Sequence, residues 1–309
     1  MATQRSALEL RVARSFRCTE VPVMVTAELG EELRNCQFGD ERLSKRAGSL
    51  IEALSRKPNT SIPAALRSKA DIEACYRFFN NEKVTPEKIV QPHIEATFRR
   101  ISQVDFVLLV QDTTELDLTR PEQQVEGAGP MDCESRRGAF YHPLIAFDIE
   151  GVALGIVGQK SWARQEISKA PKAEKSRKRK QTPIEDKESY RWIEGLRDAQ
   201  RTAAACPETT CVCVGDSESD IFDVFATHVQ SSSANLALLV RAGQNRNTTE
   251  KQDWRDQVRS RAVVARQSVT IRGRQAKIAG GKSARSRSRQ GRVAELEIRT
   301  ATIDVCLRW

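Results

Sequence analysis

The spacing of the apolar residues changes at Asp105, and this change divides the chain into two kinds of structure. Before it, apolar residues recur every three or four positions in ERLSKRAGSLIEALSRK (41–57) and ADIEACYRFFNN (70–81), which predicts amphipathic helices. After it, DFVLLVQ (105–111) is a continuous apolar run, typical of a strand buried on both faces. We therefore predict an all-helical region followed by an α/β region.

The helical region has clear start and stop signals. Gly39 and Asp40 precede the first strongly periodic segment, and Asp40 is suited to be the N-cap of that helix. Prolines then divide the region into short helical pieces, at Pro58, Pro63, Pro86 and Pro92.

The α/β region contains one further strand pair and then alternates helices and strands. PLIAFDIEGVALGIVGQKSW (143–162) predicts two strands joined at Glu150 and Gly151 as a tight hairpin. The basic stretch from Lys169 to Lys180 is predicted to be a loop. The remaining segments predict a helix in 186–205, a strand in 209–215, a helix in 219–230 and a strand in 235–242.

The positive charge is concentrated in two blocks. The net charge is +9, yet residues 169–180 alone carry +6 and residues 255–292 carry +11, so the rest of the chain is at −8. Such blocks are typical of contacts with a polyanion. The alternative is that each block is a solvated loop with no partner.

These patterns divide the chain into four segments. Residues 1–26 are predicted to be an N-terminal arm, partly disordered, and residues 27–102 a small all-helical domain. Residues 103–245 are predicted to be an α/β domain. Residues 246–309 are basic, and their Gly, Ser and Arg content predicts a mobile stretch unless it holds a partner.

Several classes of protein are disfavoured by the composition. The chain has no run of about 18 apolar residues and no secretory signal at its start, so we expect a soluble, cytosolic protein. Eight cysteines occur without a Cys-x2-Cys pair, and only three histidines are present, which disfavours a zinc site or a disulfide framework.

Two aspartates each follow a predicted strand, Asp112 in VQDTTELDL and Asp216 in VGDSESDI. The carboxyl ends of neighbouring strands meet at one edge of an α/β sheet, and paired carboxylates there suit Mg²⁺ and phosphodiester chemistry. Alternatively, both are turn residues, and Asp216 caps a helix that begins near Ser219. Asp220 and Asp223 are predicted to face solvent on that helix.

Five ordered blocks resemble those of the bacterial DDE transposases of the IS-four family. They extend over roughly residues 29–245 and are FGDERLSKR, ADIEACYRFFNNEKVTPEKIVQPHIEAT, VQDTTELDL, KESYRWIEGL and VGDSESDIFDVF. The resemblance implies a helical domain that binds transposon-end DNA, followed by a ribonuclease-H-like catalytic domain with a mixed sheet and flanking helices. It also implies cut-and-paste DNA transposition in the bacterial cytoplasm, at the nucleoid.

The resemblance also implies roles for particular residues. Asp112 and Asp216 match the first two catalytic carboxylates, which hold Mg²⁺, with Mn²⁺ as a substitute. The implied partner is double-stranded DNA, both transposon ends and target, bound by a dimer. DNA contacts are expected from Arg42, Lys45, Arg46 and Arg77 in the helical domain and from Arg241, Asn245 and Arg246 after the last strand. Arg77 is alternatively a salt-bridging residue at the edge of the core.

The chain departs from the family at its third carboxylate. The family places a glutamate in a Tyr-x2-Arg-x3-Glu-x6-Lys pattern after an inserted strand-rich domain, and this spacing does not occur after Asp216. Glu295 and Glu297 lie in a strand-like segment and are not substitutes. We therefore expect residues 246–309 to be a partial, incomplete insertion domain, in a chain truncated before the catalytic glutamate and before the dimerisation region.

Three functions remain open at this point. The first is a transposase with little or no strand-transfer activity, because two carboxylates position metal less well than three. The second is a non-catalytic protein or inhibitor that occupies transposon-end DNA. The third is a nuclease of ribonuclease-H type that needs the two aspartates alone.

Overall fold

The computed structural model describes residues 23–304 apart from 121–122, 124, 134, 166–170, 232, 247, 250–252 and 275–287. Within these limits the chain forms two compact units, Met1–Arg241 and Ala242–Trp309. Residues 1–22 of the predicted N-terminal arm lie outside the described residues, as do parts of both basic blocks.

The first unit begins with short helices, as the sequence predicts. They are α1 (Val23–Arg34), α2 (Glu41–Ser55), α3 (Ile62–Ala65), α4 (Lys69–Phe79) and α5 (Pro86–Ile101). The Asp40 side chain accepts a hydrogen bond from the backbone N–H of Arg42 at 2.9 Å and so caps α2, which confirms the predicted helix start.

These helices enclose a core of their own. Leu33 of α1, Leu50 of α2 and Cys75 and Phe78 of α4 are buried together. Phe38, in the loop before α2, packs edge-on against Phe78 with the ring centroids 5.7 Å apart. The apolar stripe of each predicted helix therefore faces a shared interior.

The sheet of the first unit is mixed. Its strands are β1 (Phe106–Gln111), β2 (Thr114–Asp117), β3 (Gly129–Pro130), β4 (Arg137–Phe147), β5 (Ala153–Trp162), β6 (Thr210–Gly215) and β7 (Leu236–Val240). The strand β1 pairs antiparallel with β4 and parallel with β6, and β6 pairs parallel with β7. Because residues 144–147 of β4 pair with both β1 and β5, those two strands lie on opposite edges of β4.

The predicted hairpin and the alternation of helices and strands are confirmed. The hairpin joins β4 to β5 through Asp148, whose N–H donates to the Val152 carbonyl at 3.0 Å, and Gly151 supplies a φ of 81°. Helices α7 (Arg191–Ala205) and α8 (Phe222–Val229) flank the sheet. Trp192 and Leu196 of α7 are buried in the core of the sheet.

The loop prediction for the first basic block is wrong. Residues Lys172–Gln181 form a helix, α6, directly after Pro171. Lysine, arginine, alanine and glutamate are all good helix formers, and proline is tolerated at a helix start. The sequence lacks an apolar stripe there, so periodicity gave no helical signal.

A buried polar cluster joins the helices to the sheet. Glu32 of α1 bonds to His93 Nδ1 at 2.6 Å and pairs with Arg100, and both partners belong to α5. On β5, the Leu154 carbonyl accepts from Arg100 Nε at 2.6 Å, and the backbone N–H of Ile156 donates to His93 Nε2 at 3.0 Å. Burial raises the pKa of Glu32, but the hydrogen bonds from His93 and Arg100 outweigh it and hold that pKa below its ordinary value.

The second unit contains a helix and a two-stranded antiparallel ribbon. The helix is α9 (Trp254–Arg259), and the strands are β8 (Ala265–Ile271) and β9 (Arg292–Ile298). The strand predicted near the end of the sequence is β9. None of the helices in the described part of the chain has the length and apolarity needed to cross a membrane.

Gly155 gives a test of the contact between α5 and β5. It has a φ of 143°, and a Cβ there would collide with Thr97 Oγ1 and approach His93 Nε2 to 2.9 Å. We expect Gly155→Ala to lower the free energy of unfolding by about 3 kcal/mol or more, measured by urea denaturation. The control is Gly39→Ala, where φ is also positive but nothing lies within 4 Å; a loss of about 1 to 2 kcal/mol is expected there. Equal losses would contradict the steric argument.

Candidate functional site at the carboxyl edge of β1 and β6

The two strand-end aspartates lie at the same edge of the sheet. The parallel register pairs Val110 of β1 with Val214 of β6, and Asp112 and Asp216 each follow two positions later. Both residues are exposed. The structure therefore brings together the two carboxylates that the sequence singled out.

Each aspartate also organises its own loop. Asp112 Oδ1 accepts from the backbone N–H of Thr113 at 2.7 Å, and Asp216 Oδ1 accepts from the backbone N–H of Glu218 at 2.8 Å. The helix α8 begins at Phe222, and Ile221 occupies its N-cap position, so Asp216 does not cap that helix. Both residues are turn residues as well as carboxylates, and each of these hydrogen bonds engages one of the two carboxylate oxygens.

A chain of hydrogen bonds runs from Arg191 into the sheet. Arg191 Nε donates to Thr113 Oγ1 at 2.8 Å, and Thr113 Oγ1 lies 2.9 Å from His142 Nδ1. His142 Nε2 lies 3.2 Å from Gln111 Oε1, and Gln111 Nε2 donates to Cys213 Sγ. One assignment satisfies every link: the Thr113 hydroxyl donates to Nδ1, and His142 donates from Nε2.

The surroundings of His142 favour its neutral form. Burial, and then the nearby Arg191 cation, lower the pKa of His142 to about 4. The ring also packs edge-on against Trp192, with centroids 4.7 Å apart. In the neutral form Nδ1 accepts a hydrogen bond from the Thr113 hydroxyl, which agrees with this assignment.

One expectation about the neighbouring acidic residues is wrong. Asp220 is only 2% exposed, although the sequence predicted a solvent-facing helical position. The segment before α8 is not yet helical, and it folds inward with Ser219 also buried. Ser219 Oγ donates to the Asp216 carbonyl at 2.6 Å, which draws this segment toward the end of β6.

The predicted DNA-contact residues after β7 fall in two units. The backbone N–H of Arg241 donates to the Gly215 carbonyl at 3.1 Å, which places Arg241 one strand away from Asp216 at the same edge. Asn245 and Arg246 belong to the second unit, where Asn245 Nδ2 donates to Asp253 Oδ2 at 2.7 Å.

The donor set at the edge suits a hard divalent cation. Asp112 and Asp216 supply carboxylate oxygens, and Mg²⁺ is commonly held by one or two carboxylates together with water and substrate phosphates. Among the described residues no group of three or more His, Cys, Asp or Glu side chains is arranged to hold a metal ion. The two carboxylates are oxygen donors of the kind that Mg²⁺ accepts, and Mg²⁺ binding at this edge stays a prediction.

The predicted DNA-contact residues of the helical region lie at the surface. Arg42 and Lys45 are exposed on α2, and Arg46 is half-buried beside Asp71. Arg77 has a 74% exposed side chain and lies 3.9 Å from Glu73 on the same helix, so it is not at the core edge. Their contact with DNA stays a prediction.

A basic groove of about 290 Å³ lies in the same region, between α2, α3 and α4. Arg46 is the one residue of its lining that the sequence had singled out. Three further cations line it, at Arg56, Lys57 and Arg67. They lie at or beyond the ends of the amphipathic segments, so periodicity gave no signal for them.

Two other residues were also missed at the sheet edge, Arg191 and His142. Their partner Thr113 is 78 residues from Arg191 and 29 residues from His142 along the chain. Neither spacing is a motif. The one available signal was that Arg191 belongs to the block KESYRWIEGL, to which no role had been given.

Comparison with known proteins supports a function for the helical region. The family model described as Transposase DNA-binding matches residues 27–84. None of the curated proteins matches the chain. The chain therefore carries a transposase-type DNA-binding region in α1 to α4 and the loop after them, and DNA is a partner.

His142 predicts a pH dependence of stability. Between its ordinary pKa of 6.5 and its folded value of about 4, the unfolded chain binds a proton that the folded chain does not. Stability is therefore retained above pH 6.5 and falls as the pH drops toward 4, by about 3 kcal/mol at most. We expect urea denaturation at pH 7 and pH 5 to show a larger loss in the unmodified chain than in His142→Asn. The same pH dependence in both proteins would contradict this assignment.

Proposed function

We propose that the chain is a transposase of the bacterial IS-four DDE kind. It binds transposon-end DNA through residues 27–84, and its phosphodiester chemistry belongs to the edge where β1 and β6 end. Little strand transfer is expected there, because two carboxylates position metal less well than three. The observation that carries this proposal is the pairing of a transposase-type DNA-binding region with two strand-end carboxylates, Asp112 and Asp216, in register on adjacent parallel strands.

The sheet supports a ribonuclease-H-like assignment for the second part of the first unit. Its strand order is β5-β4-β1-β6-β7, with antiparallel pairing on one side of β1 and parallel pairing on the other. Helices α7 and α8 flank it. This is the mixed sheet with flanking helices that the resemblance implies.

Asp112 and Asp216 are the residues that hold Mg²⁺ in this proposal, or Mn²⁺ as its substitute. When bound, such ions activate the attacking oxygen and stabilise the leaving oxygen of a phosphodiester. The turn hydrogen bonds from Thr113 and Glu218 fix one oxygen of each carboxylate. In this proposal Arg241, at the end of the next strand, attracts a DNA phosphate to the same edge, and its backbone bond to Gly215 supports that position.

Metal binding tests the catalytic part of this proposal. We expect Mn²⁺ binding, followed by electron paramagnetic resonance, to weaken about 10-fold or more in Asp112→Asn and in Asp216→Asn, because each removes a charged ligand. The matched control is Asp105→Asn, an exposed carboxylate just before the opposite end of β1. Unchanged binding in either site variant would contradict the assignment.

The basic groove between α2, α3 and α4 supplies further DNA contacts in this proposal. Four cations, Arg46, Arg56, Lys57 and Arg67, line it together with two carboxylates, Glu52 and Asp71, which pair with Arg56 and Arg46. The lining keeps an excess of positive charge, which suits a phosphate backbone. The groove lies within the residues matched by the transposase DNA-binding model. We assign these cations to backbone contacts, which position DNA without reading its sequence.

Electrophoretic mobility shift assays at several salt concentrations test that assignment. We expect Arg56→Ala and Arg67→Ala to weaken binding to double-stranded DNA and each to reduce the slope of log Kd against log salt by about 1. Lys88→Ala is the control, because it removes the same charge from an exposed position on α5 outside the groove. A slope unchanged from that of the unmodified chain would contradict phosphate contacts in the groove.

A second candidate function is a non-catalytic protein that occupies transposon-end DNA. It is favoured by the finding that no group of three metal-binding side chains occurs among the described residues. Two carboxylates fix less charge and geometry than three, so we expect this polypeptide to show little strand transfer. DNA binding without Mn²⁺ dependence and without product favours this candidate, whereas robust double-strand cleavage of end DNA excludes it.

A further inference from the structure

Arg191, the first residue of α7, lies between the two aspartate loops. Its side chain is 11% exposed. Its guanidinium group lies 5.3 Å from the Trp192 ring centroid and 5.7 Å from that of Trp162. Nη1 also donates to the Glu188 carbonyl at 2.8 Å, three residues earlier in the chain. This bond and the two aromatic rings hold the side chain in place.

The remaining donors of Arg191 reach both loops. Nε donates to Thr113 Oγ1 at 2.8 Å in the loop after β1, and Nη2 donates to Glu218 Oε2 at 2.6 Å in the loop after β6. Arginine carries five N–H donors in a rigid planar fork, so one side chain can bond in two directions at once. The two loops are therefore joined through a single cation.

The residues that Arg191 contacts are also the ones that orient the aspartates. The backbone N–H of Thr113 donates to Asp112 Oδ1, and the backbone N–H of Glu218 donates to Asp216 Oδ1. A single residue therefore links Arg191 to each carboxylate: Thr113 links it to Asp112, and Glu218 links it to Asp216. The paths to the two aspartates have the same form.

We propose that Arg191 is a positioning residue that sets the separation and orientation of Asp112 and Asp216 by bridging Thr113 and Glu218. One consequence, that metal affinity depends on Arg191, rests on the proposed function. The bridge itself is a property of the two loops. It can be measured without metal or DNA.

Hydrogen–deuterium exchange resolved at single amides tests the bridge. In Arg191→Gln we expect the amides of both Thr113 and Glu218 to exchange about 10-fold faster or more, because both loops lose their anchor. The matched control is Arg197→Gln, since Arg197 is on the same helix and donates to the Tyr190 hydroxyl. Wild-type exchange at both amides, or faster exchange at one alone, overturns the bridge.

Mn²⁺ affinity separates positioning from a general effect on stability. We expect Arg191→Gln to raise the Kd for Mn²⁺ about 10- to 100-fold, the range found when outer-shell partners are removed. Arg191→Lys keeps the charge without the fork, so it should recover part of this loss.

A lowered Tm with unchanged Mn²⁺ affinity in the folded variant overturns the inference. Absence of Asp112-dependent Mn²⁺ binding in the unmodified chain contradicts the proposed function instead, and the exchange rates still decide the bridge.

Discussion

The pairing of β1 on both of its edges is the constraint on which the site depends. β1 is hydrogen-bonded antiparallel to β4 and parallel to β6, while its side chains at Val107 and Leu109 are fully buried. A slip of one residue would turn these side chains to the opposite face, so burial fixes the register strongly. Because the register is fixed, Asp112 and Asp216 can only emerge side by side.

A second constraint is the need to satisfy polar groups buried beneath that edge. Gln111 and His142 lie inside the sheet, where an unpaired donor or acceptor costs stability. Gln111 and His142 bond to each other, and His142 bonds to Thr113, which accepts from Arg191. The hydrogen bonds that satisfy these buried groups therefore reach the loop that carries Asp112. Packing of the core and geometry of the site are therefore coupled by the same hydrogen bonds.

The sequence predicted what local physics determines and missed what depends on long-range contact. Asp40 as a cap and Gly151 as a turn residue were recognisable because each acts within a few residues. The helix in 172–181 was missed because a uniformly charged segment has no apolar period. The prediction for Asp220 was wrong, and Arg191 was given no role, for another reason. Burial of the first and the bridging role of the second arise only when distant segments meet.

The helical region and the sheet are joined by bonds that no single motif contains. Glu32 lies within the matched DNA-binding region, and it contacts His93 and Arg100, which in turn bond to the backbone of β5. The strand β5 is hydrogen-bonded to β4, and β4 is hydrogen-bonded to β1, which ends just before Asp112. DNA held by the first helices is thus held by the same compact unit that carries both aspartates. Under the proposed function, a DNA-binding region and a pair of carboxylates joined in this way present a phosphodiester bond in one orientation, which phosphoryl transfer requires.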